Sequence, residues 1–217
     1  MKFSTETKEQ EQEEKTNDDM FSMLSEALDK PELRVTGIYG DITEEKCSEA
    51  VYGLLALNQT GRHLIKKDPE DPDSELVEVC EPIEFYISTY GGQASEMFSV
   101  YDMMRSLREE IPIHTHGIGK VMSAGVLLLA AGTKGDRRIG RNCRVMIHGV
   151  VSGQHGHIAD VENEFSEAKM TQKLYIKALV EETNMTEKDI RKMINKKTNV
   201  YLDAEKAVEL GIADIIF

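Results

Sequence analysis

The sequence predicts a single globular α/β domain with a largely parallel sheet, and three observations support the three parts of this prediction. Short apolar runs of strand length alternate with segments of helical periodicity along the chain after residue 32. The 217 residues are enough for one domain with a sizeable core and too few for two comfortable ones. The composition, 40% hydrophobic and 30% charged, is typical of a globular chain rather than a disordered one.

The first 30 residues are predicted to be an acidic N-terminal tail. Residues 1–19 contain seven acids and three lysines and almost no apolar side chains. Residues 20–31 can form a short helix that ends before Pro31. The tail has no apolar stretch of the kind that secretory signals carry. The remaining residues, 31–217, are predicted to form a single domain.

The first half of this domain begins with a strand over 33–40 and a helix from Thr43. That helix is predicted from apolar residues that recur with helical spacing: Cys47, Ala50, Val51, Leu54 and Leu55. Residues 59–82 follow, with seven acids and two prolines between Asp68 and Glu81. Because the two prolines bar a buried central strand, this segment is predicted to be an extended acidic loop or a hairpin.

The second half continues the alternation. Strands are predicted over 83–88, 111–119 and 143–148, and helices over Ser95–Leu107 and Met122–Ala131, with Met97, Val100, Tyr101, Met104 and Leu107 facing the core in the first of these helices. The helical stretch 158–182 is too long for a simple crossover, so it is predicted to project from the domain. Thr186 and Asp189 form a capping-box pattern, Asp203 caps the last helix, and Gly211 ends it before a closing strand.

Charge and cysteine content narrow the classes of partner. The net charge of −13 repels phosphate backbones and anionic lipids, so neither nucleic acid nor membrane is an expected partner. The longest apolar run, 121–131, is far below the ~20 residues that a membrane span needs. Three cysteines without metal-type spacing favour a reducing, cytoplasmic compartment. The chain has neither a dinucleotide fingerprint nor a Walker A sequence, and no cofactor is expected.

The stretch "GKVMSAGVLLLAAG" from Gly119 to Gly132 contains one serine, Ser123, which has two interpretations. It can be the N-cap of a core helix, with small neighbours for close packing. It can also be a nucleophile, with the Ala124 amide and the positive end of the helix stabilising the charge that develops in the reaction. Taken alone, this stretch favours the cap.

Two further features can belong to the same chemistry. Gly91-Gly92 follows a strand and can turn backbone N–H groups toward a ligand, although a plain turn explains it equally well. His148 ends an apolar strand, where it can act as a base toward Ser123 or be a structural histidine. The pairs His114/His116 and His155/His157 have no third ligand at a suitable spacing, so no metal site is expected.

Together these pieces resemble the ClpP family, the serine-peptidase subunits of ATP-dependent Clp proteases. The similarity runs from about residue 33 to 217, in motifs that keep the family's order: "STYGG" (88–92), "SVYDMM" (99–104), "GKVMSAGV" (119–126), "RVMIHGV" (144–150), "GHIADVENE" (156–164) and "YLDAEKAVELGIADII" (201–216). The 25-residue separation of Ser123 and His148 also agrees with the family. With this resemblance, the nucleophile becomes the favoured interpretation of Ser123.

The resemblance implies a crotonase-like fold with 158–182 as a projecting handle helix, and a homo-oligomer of two stacked heptameric rings. Unfolded polypeptide would be supplied by an AAA+ unfoldase of the ClpX or ClpA/ClpC type, which uses the ATP. Ser123 would attack the peptide carbonyl and His148 would take its proton. The amides of Gly92 and Ala124 would hold the oxyanion, with no metal or other cofactor.

The chain departs from the family pattern at the third triad position. Counting back from "YLDAEKA" places Asn199 where the family has aspartate, whereas gapless counting from His148 reaches Lys197; Asn199 is the better match. An asparagine can orient the imidazole but cannot stabilise its charge. Tyr90 and Gly149-Val150 also replace proline and Gln-Pro, so the substrate groove is expected to differ there.

Three functions remain as alternatives. The favoured one is a weak or conditional serine endopeptidase. The second is a structural or regulatory ring subunit that needs a catalytic ClpP paralogue, and the third is a crotonase-fold enzyme acting on acyl-CoA thioesters. The last has least support, because thioester chemistry does not call for a serine at a helix start and a histidine after the next strand.

Overall fold

The fold is organised around one seven-stranded sheet, seen in a computed structural model that describes residues 33–217 except 72, 154 and 197. From Arg34 onward the described residues form one compact unit. The predicted α/β class with a largely parallel sheet is confirmed. The tail and short helix predicted within residues 1–30 lie outside the described residues, as does Lys197.

Seven strands make up the main sheet: β1 Val35–Tyr39, β4 Ile83–Thr89, β5 Ile113–Met122, β6 Arg138–Ile139, β7 Arg144–Ile147, β8 Val200–Leu202 and β9 Ile215–Ile216. Neighbouring strands follow the order β1-β4-β5-β6-β9, while β7 pairs with β5 and β8. Every pair is parallel except β7–β8. The short strands β6 and β8 were not predicted, because each lies among charged and polar residues, whereas the equally short β9 lies in the apolar segment "IADIIF".

Besides β4, strand β5 pairs with two other strands at different points along its length. Its first half pairs with β6 through His116 and Gly117, and its second half pairs with β7 over Lys120–Met122. Since β5 and β7 are parallel and end close together, at Met122 and Ile147, the residues that follow them emerge at the same edge of the sheet.

Six helices are found among the described residues: α1 Glu44–Thr60, α2 Ala94–Leu107, α3 Ala124–Ala130, α4 Ile158–Glu182, α5 Glu187–Ile194 and α6 Ala204–Glu209. None of these six has the length and apolar character needed to cross a membrane. The capping box of Thr186 with Asp189 and the cap at Asp203 are confirmed. Gly211 follows the end of α6 with φ 71°, as predicted.

One sequence-based boundary was wrong. Met122 belongs to β5 rather than to the following helix, because it pairs with Met146 of β7. The helix predicted from Thr43 is observed as α1, with Cys47, Ala50 and Leu54 of its apolar pattern buried and Leu55 37% exposed.

The core is formed by helices packed on the sheet. All five residues of α2 that were predicted to face inward are buried, as is every residue of α3. A helix that is apolar on all sides is expected to be enclosed in this way. Because α3 begins directly after β5, its burial fixes the position of the β5–α3 junction.

A hairpin lies within the segment 59–82, and it is one of the two forms predicted there. Strands β2 (Arg62–Lys66) and β3 (Leu76–Cys80) pair antiparallel, and all five residues of β2 are exposed. In the acidic turn, the Asp68 amide donates to Ser74 Oγ at 2.8 Å.

Helix α4 spans Ile158–Glu182, in agreement with the predicted helical stretch. Its residues 158–167 are all exposed, whereas Tyr175, Ile176 and Leu179 near its end are buried. The first turns of α4 are therefore not buried by any other described residues. The role of a handle between rings stays a prediction.

The C-terminal end of α4 is anchored by Glu182, whose side chain is only 1% exposed. Arg108 donates to both carboxylate oxygens, at 2.8 and 2.9 Å, and Tyr101 Oη donates at 3.0 Å. Burial and the nearby Glu182 charge raise the pKa of Tyr101 to about 12, which keeps its hydroxyl protonated as a donor. The backbone carbonyl of Glu182 also accepts from Arg137 at 2.7 Å.

Candidate active site

Ser123 lies at the junction between β5 and α3, in a backbone conformation that is rare for a residue with a side chain. Its φ is 54° and its ψ is −120°, and it is the only non-glycine residue with positive φ in the part of the chain that is described. Its N–H donates to the Met146 carbonyl at 2.8 Å. Its own carbonyl accepts from Val126 N and from Tyr175 Oη, both at 3.0 Å. Three hydrogen bonds therefore hold the strained backbone.

The geometry decides against Ser123 as a side-chain cap. It occupies the N-cap position of α3, yet its side chain makes no capping hydrogen bond. Non-glycine residues in such conformations cost about 1–3 kcal/mol and concentrate at functional sites. A sharp strand-to-helix turn that exposes a serine hydroxyl is the arrangement of the nucleophile elbow in α/β hydrolases. The cap interpretation, which the local sequence favoured, is wrong for the side chain.

Gly91 borders Ser123, and neither Gly91 nor the following Gly92 has room for a side chain. A Cβ on Gly91 (φ 104°) would lie 2.6 Å from Ser123 Cβ, and one on Gly92 would lie 2.2 Å from the Ile42 carbonyl oxygen. The Gly91 amide donates to Thr89 Oγ1 at 2.9 Å. No acceptor for the Gly92 amide is found among the described residues. The Gly92 amide is therefore a backbone donor without an acceptor among the described residues, and Gly92 lines the same cavity as Ser123.

His148 follows β7 directly and reaches the same cavity as Ser123. This cavity, of about 680 Å³, is also lined by Gly91, Gly92 and Ala124. The Ala124 amide lies in the first turn of α3, where helix amides have no intrahelical acceptor. Within residues 33–217 as described, no hydrogen bond joins Ser123 Oγ to the His148 ring. Such bonds are often long in substrate-free sites and tighten with substrate.

Asn199, the candidate third catalytic residue, lies opposite His148 in the continuation of the β7–β8 register. The β7–β8 register pairs Ile147 with Val200, and continuing it by one residue sets His148 opposite Asn199. Both residues line a cavity of about 460 Å³. However, Asn199 Nδ2 points to Tyr201 Oη at 3.5 Å, and no hydrogen bond to the imidazole is found among the described side chains.

The histidine pairs lie away from this cavity. His114 and His116 both contact the carboxylate of Glu84, His114 through Nδ1 at 3.0 Å. Burial works against the Glu84 charge, but the two histidine hydrogen bonds outweigh it and hold the carboxyl pKa below its usual value. His155 and His157 are exposed. No group of three or more potential ligands suitable for a metal ion occurs among the described residues.

Two residues of α4 that the sequence analysis missed contact the site. Tyr175 donates to the Ser123 carbonyl, and the Gln172 side-chain oxygen accepts from the Val150 amide at 3.2 Å. Tyr175 is buried, which raises the pKa of its phenol well above the usual range. Only the i, i+3 spacing of the two could have drawn attention to them, and that spacing is common on any helix.

The cavity matches the arrangement of an α/β serine hydrolase: a strained serine follows β5, a histidine follows the neighbouring parallel strand β7, and Gly92 and Ala124 line the same cavity. Comparison with known proteins identifies the family to which this chain belongs. The family model described as Clp protease matches residues 75–217.

Individual relatives lead to the same family as the family model does. The chain is 32% identical over 161 residues to the ATP-dependent Clp protease proteolytic subunit 1 of Corynebacterium glutamicum, which covers 74% of this chain and 72% of the relative. It is 30% identical over 213 residues to proteolytic subunit 2 of Treponema denticola, covering 98% and 93%. The chain belongs to the Clp protease family. The predicted ClpP-like, crotonase-type fold is confirmed.

Proposed function

We propose that this chain is a serine-type endopeptidase subunit of a self-compartmentalising ring protease that cuts unfolded polypeptides into short peptides. The observation that carries the proposal is the conformation and surroundings of Ser123. Its backbone is strained, its side chain does not cap α3, and it shares a cavity with His148. A serine that only started a helix would be expected to use its hydroxyl on the helix amides.

In the proposed reaction, Ser123 Oγ attacks the peptide carbonyl while His148 takes its proton and later gives it to the leaving amine. The negative charge on the carbonyl oxygen is stabilised by the amides of Gly92 and Ala124. Asn199 orients the imidazole through its side-chain oxygen. Water then releases the acyl group. No metal or other cofactor takes part in this scheme.

The same proposal includes partners. The relatives are named as proteolytic subunits of ATP-dependent proteases, which supports an AAA+ unfoldase of the ClpX or ClpA/ClpC type that uses ATP and delivers substrate. Two stacked heptameric rings would enclose the sites. The exposed first turns of α4 offer the surface for stacking.

Labelling with a fluorophosphonate probe tests the serine chemistry. The purified, assembled protein is expected to hydrolyse short fluorogenic peptides and to lose this activity as the probe reacts. Mass spectrometry should place the adduct on Ser123. Absence of both hydrolysis and labelling in assembled rings, or an adduct on another serine, would contradict the proposal.

The alternative, a ring subunit with a structural or regulatory role beside a catalytic paralogue, is favoured by one observation. The side chain of Asn199 contacts Tyr201 rather than His148. Under this alternative the chain alone stays inactive and raises proteolysis only in mixed rings.

Asn199→Asp is expected to raise kcat for a fluorogenic peptide by at least about tenfold, because a carboxylate both orients the imidazole and stabilises its charge. The reverse change costs about 10⁴-fold in a chymotrypsin-type enzyme. Asn195→Asp is the control, since Asn195 lines the same cavity but is not opposite His148. An equal gain in both variants would show a general charge effect, and no gain for Asn199→Asp would remove Asn199 from the catalytic group.

A further inference from the structure

Helix α4 touches both halves of the candidate active site. Tyr175 and Gln172 are three residues apart on α4, so they lie on one face of the helix. Tyr175 contacts the backbone of the serine, and Gln172 contacts the backbone just after the histidine. One rigid element therefore bridges two segments that come from different strands, β5 and β7.

Tyr175 is one of two donors to the Ser123 carbonyl. Its Oη is 3.0 Å from that oxygen, and the second donor, Val126 N, belongs to α3 itself. A strained backbone persists only where its surroundings over-determine it. The Val126 bond keeps the carbonyl satisfied without Tyr175, so the phenol is an extra restraint on orientation rather than a requirement for folding.

Gln172 restrains the segment that follows His148. Its side-chain oxygen accepts from Val150 N at 3.2 Å. The fit depends on Gly149, because a Cβ there would lie 3.0 Å from the Gln172 oxygen and 2.9 Å from Ile194 Cγ2. Gly149 and Val150 line the cavities on both sides of His148. Their backbone therefore influences where the imidazole sits.

We propose that Tyr175 and Gln172 are positioning residues: Tyr175 holds the Ser123 backbone, Gln172 holds the 149–150 backbone, and α4 thereby sets the distance between nucleophile and base. This inference rests on the proposed peptidase function for its kinetic consequences, but the restraint itself is a property of the fold. Neither side chain is assigned a direct role in bond making or breaking.

Tyr175→Phe removes only the hydroxyl and keeps the packed ring. The loss of one hydrogen bond can change a rate by about three- to tenfold. We therefore expect kcat, and the rate at which a fluorophosphonate labels Ser123, to fall by about three- to tenfold. KM should stay within about twofold of the wild-type value. Tyr101→Phe is the matched control: it removes the same hydroxyl from an equally buried tyrosine whose partner is Glu182. Glu182 keeps both hydrogen bonds from Arg108, so α4 stays anchored and kcat should not change.

Gln172 is tested by a pair of substitutions. Gln172→Glu keeps an oxygen that can accept from Val150 N and is expected to retain wild-type kcat within about twofold. Gln172→Met has similar length but no comparable acceptor, and should lower kcat by about three- to tenfold. Equal kcat in the two variants would overturn the positioning role of Gln172.

Hydrogen exchange separates this inference from the proposed function, because it needs no activity. In Tyr175→Phe, amides in 119–126 should exchange faster than in wild type and in Tyr101→Phe. In Gln172→Met, the same should hold for 148–151. Unchanged exchange in these segments would overturn the inference even in an active enzyme. Faster exchange in a protein that neither hydrolyses peptides nor reacts with the probe would support the restraint and reject the peptidase.

Discussion

Alanine at either Ser123 or His148 is expected to lower kcat for a fluorogenic peptide by about 10³-fold or more. In a serine peptidase the nucleophile and base act as a unit, and the loss of either costs about 10⁶-fold when the full triad is present. With asparagine at 199, part of that enhancement is already absent, so the loss starts from a lower level. The residual rate would come from the Gly92 and Ala124 amides and from substrate binding.

The double variant tests whether Ser123 and His148 act in one step. Because serine and histidine contribute to one step, Ser123→Ala with His148→Ala should be no slower than either single variant. Ser99→Ala, at an exposed serine on α2, is the control and should keep wild-type kcat. Multiplicative losses in the double variant would show that the two residues do not act as nucleophile and base in one reaction.

Glu182→Ala is expected to lower the free energy of unfolding by about 3–5 kcal/mol, measured by urea denaturation at one protein concentration. The carboxylate is 1% exposed and is bonded by Arg108 and Tyr101. Its removal leaves the Arg108 charge, which is 19% exposed, without its carboxylate. Loss of one partner from a buried ion pair is strongly destabilising for this reason.

The neighbouring Glu181 offers a matched control. Its side chain is 37% exposed and also pairs with an arginine, Arg105, at 2.6 Å. Solvent screens such surface pairs, so Glu181→Ala should cost no more than about 1 kcal/mol. If the two variants lowered the free energy of unfolding by similar amounts, burial would not be the reason why the Glu182 ion pairs stabilise the fold.

The sequence predicted most of the elements because their burial is periodic. The inward residues of α2 and the buried helix α3 were identified from spacing and from an apolar run. The two-residue strand β6 and the three-residue strand β8 were missed, since such segments are strands only through their partners. The order and spacing of the motifs around Ser123 and His148 were enough to indicate the family.

The sequence by itself determined the fold class, the resemblance to ClpP and the identity of the candidate nucleophile and base. Only the tertiary structure decided that Ser123 is not a side-chain cap, because its side chain makes no capping hydrogen bond while its N–H is bonded to the Met146 carbonyl of the neighbouring strand β7. The contacts of Tyr175 and Gln172 likewise arise where α4 crosses two distant segments. Local patterns encode which side chains are buried, whereas backbone torsions at a junction and contacts between distant elements depend on how those elements pack.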